Sequence, residues 1–489
     1  MITPRGLWMF SLSSVWGSCV FHVKERLLTI TIFRHRSHSH RITACLPMVV
    51  QVTDTLPEHW RYVSEGGATI VFSYIGPSDP QFDGTVLRLR KTLVPTIPPR
   101  TADPVGVQDE PDDPMIEYQH KCMERLIPLE HLPRLESVHI DRGWLENLIA
   151  LREVERPEDR RCRDQIDLTR TKGVLATDLV GGDWVAVEIK PKWALLPAVT
   201  HLSNTTRPIK TQTCRFCMHS AVRAKAGETV SLGYCPLDLF SGDEHRVRKA
   251  IYDLWDAWSL SNGTINNLKI FVHGRTITPD EASLMLSKDV DAQLYTENLR
   301  ERFTSALLPV LLATPVLRTL STLQRTLDVL DIEGLSHLWR LAETSSPLYR
   351  TTFERDSTGI DEPPPSSPIG VSSSFLTSPE PTIADWTGFL DEYLSETQLD
   401  HKNPAPGNLR YYLLAYLLSA TFKDCSIIVR LKHLRSAAPT PAIKPEQVTV
   451  IDLDPKSMFR LRKWEKLDQE IVKAYMAADD RKVCIDTWR

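Results

Sequence analysis

Between residues 60 and 91, short apolar runs such as Ile70-Val71-Phe72 are bounded by turn residues, which predicts β-strands. In the run Val86-Leu87-Arg88-Leu89-Arg90, a period of two places the two leucines on one face of a strand and both arginines on the other. The pair Gly66-Gly67 stands between two such runs and predicts a tight turn. This part of the chain is therefore expected to form a strand, the glycine turn, a second strand, a further turn at residues 76–80 and a third strand.

Further strands are predicted where apolar runs end in charged residues. Residues 184–187 lead into Glu188-Ile189-Lys190-Pro191-Lys192, residues 448–451 lead into Asp452-Leu453-Asp454, and residues 426–431 follow Asp424. Apolar spacing of three and four predicts helices near 116–126, 142–153, 241–258, 409–420 and 457–476, and over most of 279–345. Ser241, with Glu244 three residues later, is interpreted as the N-cap of the 241–258 helix. Together these elements predict an α+β protein.

Two segments lack the periodicity of packed elements. Residues 1–47 contain six Lys or Arg, four His and one acidic residue, Glu25, and we interpret them as an extension that does not fold, with Met48 as an alternative start. An acid-poor leader is also typical of mitochondrial transit peptides, which stays open as the lesser alternative. Residues 356–384 are rich in Pro and Ser, which predicts a disordered insertion.

Composition narrows the class of protein. An apolar share of 42% with 25% charged residues is typical of a globular chain, and 489 residues suffice for two lobes or domains. The net charge of −4 argues against direct nucleic-acid binding, and no apolar run reaches the length of a membrane span. Nine cysteines without dense regular spacing indicate a reducing compartment. We expect a monomer in the nucleus or cytoplasm.

Small residues and one arginine in the first strands suit phosphate binding. Gly66 and Gly67 allow backbone amides to approach a phosphate closely, although a Gly-Gly pair is also common in simple hairpins. Arg88, on the next strand, is positioned to hold nucleotide phosphates as a strand lysine does in protein kinases. The alternative for Arg88 is a solvated outer face.

A rigid pair of cations follows the strand at 184–187. Lys190 and Lys192 flank Pro191 directly after an apolar strand, where charges are costly unless they face a cleft. Such a pair suits a polyphosphorylated ligand. Arg215, His219 and Arg223 recur at helical spacing and would extend the same basic patch. The alternative is a surface face of salt bridges.

Carboxylates occupy the ends of the later elements. Asp424, at a helix-to-strand junction, can orient or deprotonate an attacking hydroxyl; its alternative is a turn residue. Asp452 and Asp454 end an apolar strand, a common position for Mg²⁺ ligands in kinases. Lys456 and Arg460 add cations near the start of the last helix, which itself favours anions.

The cysteine pattern does not predict a metal. Cys214-x-x-Cys217, with His219 and Cys235 nearby, lacks a second ligand pair at zinc-finger spacing.

These motifs, in this order, resemble those of the inositol-pentakisphosphate 2-kinase family, and the chain looks like a fungal-type member. The resemblance covers about residues 58–275 and 405–478 and is most specific at Glu188-Ile189-Lys190-Pro191-Lys192, Arg215-Phe216-x-Met218-His219, Pro236-Leu237-Asp238-Leu239-Phe240-Ser241-Gly242, Lys423-Asp424-Cys425-Ser426 and Asp452-Leu453-Asp454-x-Lys456. It implies transfer of the ATP γ-phosphate to the axial 2-hydroxyl of inositol 1,3,4,5,6-pentakisphosphate, giving phytate. It also implies a two-lobed fold distantly like protein kinases, with an N-lobe over 48–179 and an enlarged C-lobe over 180–489.

The resemblance implies a role for each matching residue. Asp424 would activate the hydroxyl, and Asp452, with Asp454, would bind Mg²⁺. Those that would contact ATP are Gly66, Gly67, Arg88, Thr177 and Asp178. Those that would hold the phosphates of the inositol pentakisphosphate or of the nucleotide are Arg160, Lys190, Lys192, Arg223, Asn266, Lys269, Lys456 and Arg460.

The chain departs from the family at three points. Lys269 stands where members can carry Arg, which weakens a bidentate phosphate contact, and Trp464 stands where a substrate-contacting Tyr can occur. Plant members have a Cys/His zinc site in the C-lobe, whereas no Cys occurs here between Cys235 and Cys425. We therefore expect no structural zinc.

Two other functions stay open: a kinase for a different inositol phosphate, and a non-catalytic inositol-phosphate-binding or scaffold protein. A protein kinase is disfavoured because the chain has neither a His-Arg-Asp nor an Asp-Phe-Gly motif.

Deleting residues 1–47 and, separately, most of 356–384 is expected to preserve activity, because neither segment has the pattern needed to pack into a core. Solubility and turnover of the two truncated proteins, each beside the full chain, check this. An insoluble or inactive product would show that the deleted segment belongs to the folded protein.

Overall fold

The computed structural model describes residues 50–94, 110–286, 295–345, 379–395, 399–431 and 447–487. Within these ranges the chain combines helices with antiparallel sheets, so the predicted α+β class is confirmed. The predicted extension over 1–47 lies outside the described residues, as does the predicted insertion up to residue 378.

The described residues form eleven strands: β1 Trp60–Glu65, β2 Thr69–Tyr74, β3 Thr85–Leu93, β4 Leu135–His139, β5 Asp164–Ile166, β6 Lys172–Thr177, β7 Val185–Ile189, β8 Leu268–Val272, β9 Arg275–Ile277, β10 Ser426–Leu431 and β11 Val448–Ile451. Their helices are α1 Pro114–Lys121, α2 Arg142–Arg152, α3 Glu158–Arg161, α4 Arg207–Lys210, α5 Arg215–Lys225, α6 Pro236–Leu239, α7 Glu244–Leu260, α8 Pro279–Leu286, α9 Tyr295–Ala313, α10 Val316–Leu327, α11 Asp331–Ser345, α12 Ile383–Tyr393, α13 Leu409–Asp424 and α14 Arg460–Met476. Short 3₁₀ turns occur at Val52–Asp54, Pro57–His59, Met123–Arg125, Leu129–His131, Glu153–Glu155, Val199–His201 and Pro406–Asn408.

The first sheet contains the predicted alternating strands. Its order is β1-β2-β3-β6-β4, with β5 pairing with β3, and every pairing is antiparallel. Leu87 and Leu89 are buried in a core with Trp60 and with Trp144 of α2, as the period of two requires. The glycine turn joins β1 to β2 and is closed by a hydrogen bond from the Gly66 amide to the Thr69 carbonyl (2.9 Å).

Four buried charges hold the base of this turn. The Glu65 carboxylate lies 3.0 Å from Lys91 Nζ and 2.9 Å from Arg156 Nη2, and both cations also contact Asp164. Burial alone would raise the pKa of Glu65, but Arg156 and Lys91 outweigh it and lower that pKa. Each charge therefore has a partner, which a buried ion requires.

The second sheet brings three charged motifs to one edge. Its order is β11-β10-β7-β8-β9, all antiparallel. Ile427 pairs with Ile189, and Ser426 pairs with Ile451. Because neighbouring strands run in opposite directions, the end of β7, the start of β10 and the end of β11 meet.

Helices cover this sheet with one large apolar core that includes residues of α7, α9, α10, α11 and α13. Helix α13 is buried along most of its length and ends at Asp424, directly before β10. The packing of α13 therefore decides where Asp424 stands.

One predicted helix start and the end of the predicted insertion are corrected. The N-cap of α7 is Asp243, whose carboxylate accepts a hydrogen bond from the Arg246 amide (2.9 Å), whereas Ser241 donates to the Asp238 carbonyl (2.7 Å) in the preceding turn. Helix α12 begins at Ile383, inside the predicted 356–384 insertion, with Thr382 and Asp385 forming a capping box. The insertion prediction extended too far because composition hid this local signal.

No single helix among the described residues is both long and apolar enough to cross a membrane. One pair bent by 58°, Leu299–Ala313 with Val316–Thr344, meets the length and composition requirement together.

A buried ion pair fixes the end of α13. The Lys423 ammonium contacts the Asp328 carboxylate, and both residues are at most 5% exposed. The same ammonium lies 4.2 Å from the ring centre of Trp193 and 4.9 Å from that of Tyr416. Lys423 is thus a structural residue, and its packing orients its neighbour Asp424.

Lys423→Ala is expected to lower the free energy of unfolding by about 3–5 kcal/mol, because it leaves the Asp328 carboxylate buried without a cation. Denaturant unfolding measures this change. Lys466→Ala is the matched control: its pair with Glu470 is exposed (78% and 60%), and it should cost less than about 1 kcal/mol. Equal effects in the two variants would contradict the structural role of Lys423.

Candidate active site

The edge of the second sheet gathers predicted site residues from three segments. Lys190 and Lys192 follow β7, Asp424 precedes β10, and Asp452 and Lys456 follow β11. Their side chains form direct contacts, so residues more than 200 positions apart in the sequence belong to one cluster.

Asp424 lies between two lysines. Its Oδ1 is 3.2 Å from Lys192 Nζ, and its Oδ2 is 3.0 Å from Lys456 Nζ. Desolvation would raise the pKa of Asp424, but the charges of Lys192 and Lys456 outweigh it and hold that pKa below its usual value. The Asp424 carboxylate is therefore ionised at neutral pH and can accept a hydrogen bond from a hydroxyl.

Lys190 and Asp452 form the second pair. Lys190 Nζ is 2.8 Å from Asp452 Oδ2 and 3.7 Å from Glu188 Oε1. Burial would lower the pKa of Lys190, but the carboxylates of Asp452, Glu188 and Asp424 outweigh it and raise that pKa. For Asp452 the balance is reversed: desolvation would raise its pKa, whereas Lys190, Ser426 and Lys269 lower it. Both members of the pair stay charged.

Glu188 and Ser426 are part of the site although the sequence did not single them out. The Ser426 hydroxyl lies 2.9 Å from Glu188 Oε1 and 3.1 Å from Asp452 Oδ2, and Lys269 Nζ lies 3.4 Å from Glu188 Oε2. A signal for Glu188 was present, because the period of two places it on the same face of β7 as Lys190. Lys269 is opposite Glu188 in the sheet register.

Strained backbone occurs at two residues of the cluster. Lys192 has φ 69° and Asp452 has φ 61°, both in the left-handed region. A non-glycine residue there costs on the order of 1–3 kcal/mol and persists only where its surroundings enforce it. Gln324, fully buried, donates to the Lys192 carbonyl and to the Phe422 carbonyl, both at 3.0 Å, and so ties the two motifs together.

Asn266, predicted to contact substrate, is exposed in the turn before β8. Its neighbour Asn267 is buried and makes the contacts to the cluster: its Nδ2 donates to the Lys190 carbonyl (3.1 Å), and its carbonyl accepts from the Lys190 amide (3.0 Å).

The residues of the first sheet that were predicted to contact ATP differ in whether their polar groups are already bonded within the protein. Gly66 and Gly67 form an exposed turn, where an added Cβ would meet nothing within 4 Å. Arg90 makes a two-bonded ion pair with Asp113, whereas among the described residues Arg88 has no ion pair or side-chain hydrogen bond. Arg88, rather than Arg90, therefore has a guanidinium available for phosphate.

The side chains of Thr177 and Asp178 form hydrogen bonds within the protein. The Thr177 hydroxyl accepts from the Arg134 amide (2.9 Å). The buried Asp178 carboxylate accepts from the Ser73 hydroxyl and from the amides of Val180 (2.9 Å) and Gly181 (2.7 Å). The structure thus gives the Asp178 side chain a turn-forming role, which sequence alone did not indicate.

Three predicted phosphate ligands stand apart from the lysine–carboxylate cluster. Arg160 is 3.8 Å from Asp159, Arg223 pairs with Glu228 (2.7 Å), and Arg460 is exposed at the start of α14. Within the described ranges, none of the three makes a side-chain hydrogen bond or ion pair to that cluster. Asp454, two residues after Asp452, is also exposed.

The predicted basic face of α5 is weaker than expected. Arg215 pairs with Asp468 at 2.8 Å. Burial, together with the charges of Arg215 and Arg223, lowers the pKa of His219 to about 4, so this imidazole is neutral at pH 7. The expectation that His219 extends a positive patch is therefore wrong.

The sequence did not predict how the cysteines are arranged in space. Cys214, Cys217 and Cys235 meet a fourth buried cysteine, Cys484, with all four sulfurs within 4.8 Å of one another. The fourth cysteine comes from a segment far along the chain rather than from a nearby second pair.

Comparison with known proteins agrees with the predicted resemblance. The model of the inositol-pentakisphosphate 2-kinase family matches residues 62–470. An inositol-pentakisphosphate 2-kinase of Cryptococcus neoformans is 32% identical over 434 residues, which cover 86% of this chain and 94% of the relative. The Arabidopsis thaliana protein of the same name is 25% identical over 481 residues, covering 88% and 95% of the two chains. This chain therefore belongs to the inositol-pentakisphosphate 2-kinase family.

Proposed function

We propose that this protein transfers the γ-phosphate of ATP to the 2-hydroxyl of inositol 1,3,4,5,6-pentakisphosphate, giving inositol hexakisphosphate. Membership of the family and the names of the relatives support this activity. The observation that carries it is the position of Asp424, an ionised carboxylate held between Lys192 and Lys456 beside the Lys190–Asp452 pair.

This arrangement suits phosphoryl transfer to an alcohol. The hydroxyl oxygen forms a bond to the γ-phosphorus, the bond from that phosphorus to the β–γ bridging oxygen breaks, and ADP leaves with the bond's electron pair. The hydroxyl proton passes to the Asp424 carboxylate. Little covalent chemistry is required of the protein, so positioning and charge stabilisation supply most of the catalysis.

The lysines also explain a preference for a highly charged substrate. Lys190, Lys192 and Lys456 are only 15–20% exposed and point to carboxylates. A phosphate group is a stronger partner for each ammonium than a carboxylate, because it carries more negative charge and forms charge-assisted hydrogen bonds. On binding, the lysines exchange Asp424 and Asp452 for phosphates, which frees both carboxylates for their own roles.

Carboxylate oxygens at the end of β11 fit Mg²⁺. The hydrogen bonds from Lys190 and Ser426 both go to Oδ2 of Asp452, and among the described residues Oδ1 accepts none, on a side chain that is 53% exposed. Asp454 supplies a second exposed carboxylate. Magnesium prefers such oxygen ligands, and when bound it neutralises charge on the nucleotide phosphates.

We also infer that the two sheets mark the two lobes of a fold distantly like that of protein kinases. In this proposal the N-lobe spans 48–179 and presents the Gly66-Gly67 turn and Arg88 to the nucleotide phosphates. The enlarged C-lobe spans 180–489 and holds the inositol phosphate. The separate cores of the first and second sheets support the division. Tyr118, Met123 and Leu132, which lie within 48–179, pack in the core of the second sheet, so the two cores do not divide at residue 180 throughout.

Incubation with purified pentakisphosphate, ATP and Mg²⁺, followed by anion-exchange separation, tests the activity. The expected product is the hexakisphosphate, with one ADP formed for each. Consumption of a different inositol phosphate in preference would identify another inositol phosphate kinase. Tight binding of the pentakisphosphate without ATP turnover would identify a scaffold protein.

Asp424→Asn is expected to lower kcat by about 10²–10⁴-fold, the usual loss when a general base is removed. Because the amide can still accept a hydrogen bond, folding and ATP affinity should change little. Steady-state kinetics with a thermal melt for each protein measures both. Near wild-type turnover would exclude Asp424 from the catalytic role.

Lys190→Ala or Lys456→Ala is expected to weaken apparent pentakisphosphate affinity by about 10- to 100-fold, since a charge-assisted contact contributes about 1.5–3 kcal/mol. Arg88→Ala should instead weaken mainly ATP binding. Calorimetric titration with each ligand separates the two effects, and rising salt should weaken pentakisphosphate binding.

Lys466→Ala, at an exposed lysine away from the cluster, is the control for loss of charge alone. If Lys190→Ala and Lys192→Ala both bind pentakisphosphate like this control, the end of β7 is only a solvated face.

A further inference from the structure

The loop between β11 and α14 carries three of the predicted site residues. Asp452 and Asp454, predicted to bind Mg²⁺, and Lys456, predicted to hold a phosphate, all lie between the end of β11 and the start of α14. Residues 452–459 belong to neither a helix nor a strand. The positions of these three side chains therefore depend on the contacts that hold the loop.

The start and the middle of this loop are held by residues that flank Asp424 in the sequence. The Ser426 hydroxyl lies 3.1 Å from Asp452 Oδ2, and the Thr421 hydroxyl donates to the Asp454 carbonyl at 3.1 Å. Thr421 lies in the last turn of α13, and Ser426 is the first residue of β10. The first half of the loop is thus tied to the elements that position the Asp424 carboxylate.

The end of the loop is held by a carboxylate from a different part of the chain. Glu380, three residues before α12, accepts hydrogen bonds from the Ser457 hydroxyl at Oε1 (2.6 Å) and from the Met458 amide at Oε2 (3.2 Å). The Ser457 hydroxyl in turn accepts from the Phe459 amide (3.2 Å). Met458 is 1% exposed, and within the described residues Glu380 is the only hydrogen-bond acceptor of its amide.

The segment that supplies this carboxylate is anchored to α13. Arg410, in the first turn of α13, donates to the Pro379 carbonyl (2.9 Å) and lies 3.4 Å from the Asp385 carboxylate in α12. Trp386 of α12 is 3% exposed and belongs to the core of the second sheet. Helix α13 therefore positions Asp424 at its end and the segment before α12 at its start.

The turn that Glu380 holds separates two predicted phosphate ligands. Lys456 directly precedes Ser457, and Arg460 is the first residue of α14. The Arg460 amide donates to the Ser457 carbonyl (3.1 Å), so the turn sets where the helix starts. A movement of the turn would change the distance between the two cations, whereas a rigid inositol ring presents its phosphates at fixed distances.

We propose that Glu380 is a positioning residue for the inositol phosphate. It acts through Ser457 and Met458, whose positions fix how Lys456 and Arg460 face the ligand. The identity of that ligand rests on the proposed function. A deletion within the predicted 356–384 insertion must therefore end before residue 379 to preserve pentakisphosphate affinity.

Charge and positioning predict opposite results for Glu380→Ala. A carboxylate near a polyanion site repels the ligand, so loss of its charge alone would strengthen pentakisphosphate binding. Loss of its hydrogen bonds instead leaves the buried Met458 amide without an acceptor, and the turn must move to find one. The sign of the change therefore separates a positioning role from a purely electrostatic one.

Calorimetric titration with pentakisphosphate, in the absence of ATP, tests the proposal. We expect Glu380→Ala to weaken binding by about 5- to 20-fold, within the range for residues coupled through a shared backbone segment. Glu380→Gln keeps an oxygen for the Met458 amide and a polar group for the Ser457 hydroxyl, so it should bind like the wild type. Asp391→Ala is the matched control: it removes the same charge from α12 at a side chain that is 72% exposed and pairs with Arg125.

Two further measurements show that the effect runs through the turn. In steady-state kinetics, Glu380→Ala should raise the KM for pentakisphosphate and leave kcat and the KM for ATP nearly unchanged. Hydrogen exchange of the amides of residues 457–461, measured without ligand, should become faster in Glu380→Ala but not in Glu380→Gln.

A second variant keeps the test valid if Glu380→Ala fails to fold. Ser457→Ala removes one of the two hydrogen bonds from the other side, so it should weaken pentakisphosphate binding in the same direction by a smaller factor. Combined with Glu380→Ala, it should weaken binding by less than the product of the two separate factors, because both substitutions break one contact.

A Glu380→Ala protein that binds pentakisphosphate as tightly as Asp391→Ala, or more tightly than the wild type, would overturn the proposal. Unchanged hydrogen exchange at residues 457–461 would also overturn it. Wild-type protein that binds no pentakisphosphate would instead overturn the proposed function and the ligand named here together, so the two failures are distinguishable.

Discussion

The antiparallel register between β7, β10 and β11 is the constraint on which the candidate site depends. It places the end of β7 beside the start of β10 and the end of β11. Lys190, Asp424 and Asp452 therefore meet, although each follows or precedes a different strand. A shift of one residue in β10 would move every side chain of this strand to the other face of the sheet and separate these charges.

Mutual compensation keeps the meeting charges ionised. Desolvation would lower the pKa of Lys190 and raise the pKa values of Asp424 and Asp452, but the opposite charge that faces each group outweighs this effect. The same contacts favour binding of a polyanion, because they already hold the lysine ammonium groups close together. Pre-positioned cations reduce the entropy lost when phosphates bind.

Buried polar residues behind the cluster enforce its geometry. Gln324 joins the Lys192 and Phe422 carbonyls, and Lys423 pairs with Asp328 beneath the aromatic ring of Trp193. These contacts are what hold Lys192 in its left-handed conformation against local strain.

Sequence patterns predicted the elements and the motifs because both are local. The apolar strands that end in Lys190 and Asp452, and the glycine turn at Gly66, follow from spacing alone. The sequence did not predict which charged residues pair with each other. The Asp178 carboxylate accepts hydrogen bonds within a turn. Burial and neighbouring charges keep His219 neutral, and Cys484 joins three cysteines of a distant segment. Each depends on long-range packing that leaves no short-range signal.

A structure of the protein with pentakisphosphate, Mg²⁺ and a non-hydrolysable ATP analogue tests the central claim most directly. The account predicts that Lys192 and Lys456 leave Asp424 for phosphates, and that the 2-hydroxyl lies within hydrogen-bond reach of the freed carboxylate, about 2.6–3.2 Å. A 2-hydroxyl bound away from Asp424, with both lysines still paired to that carboxylate, would contradict it.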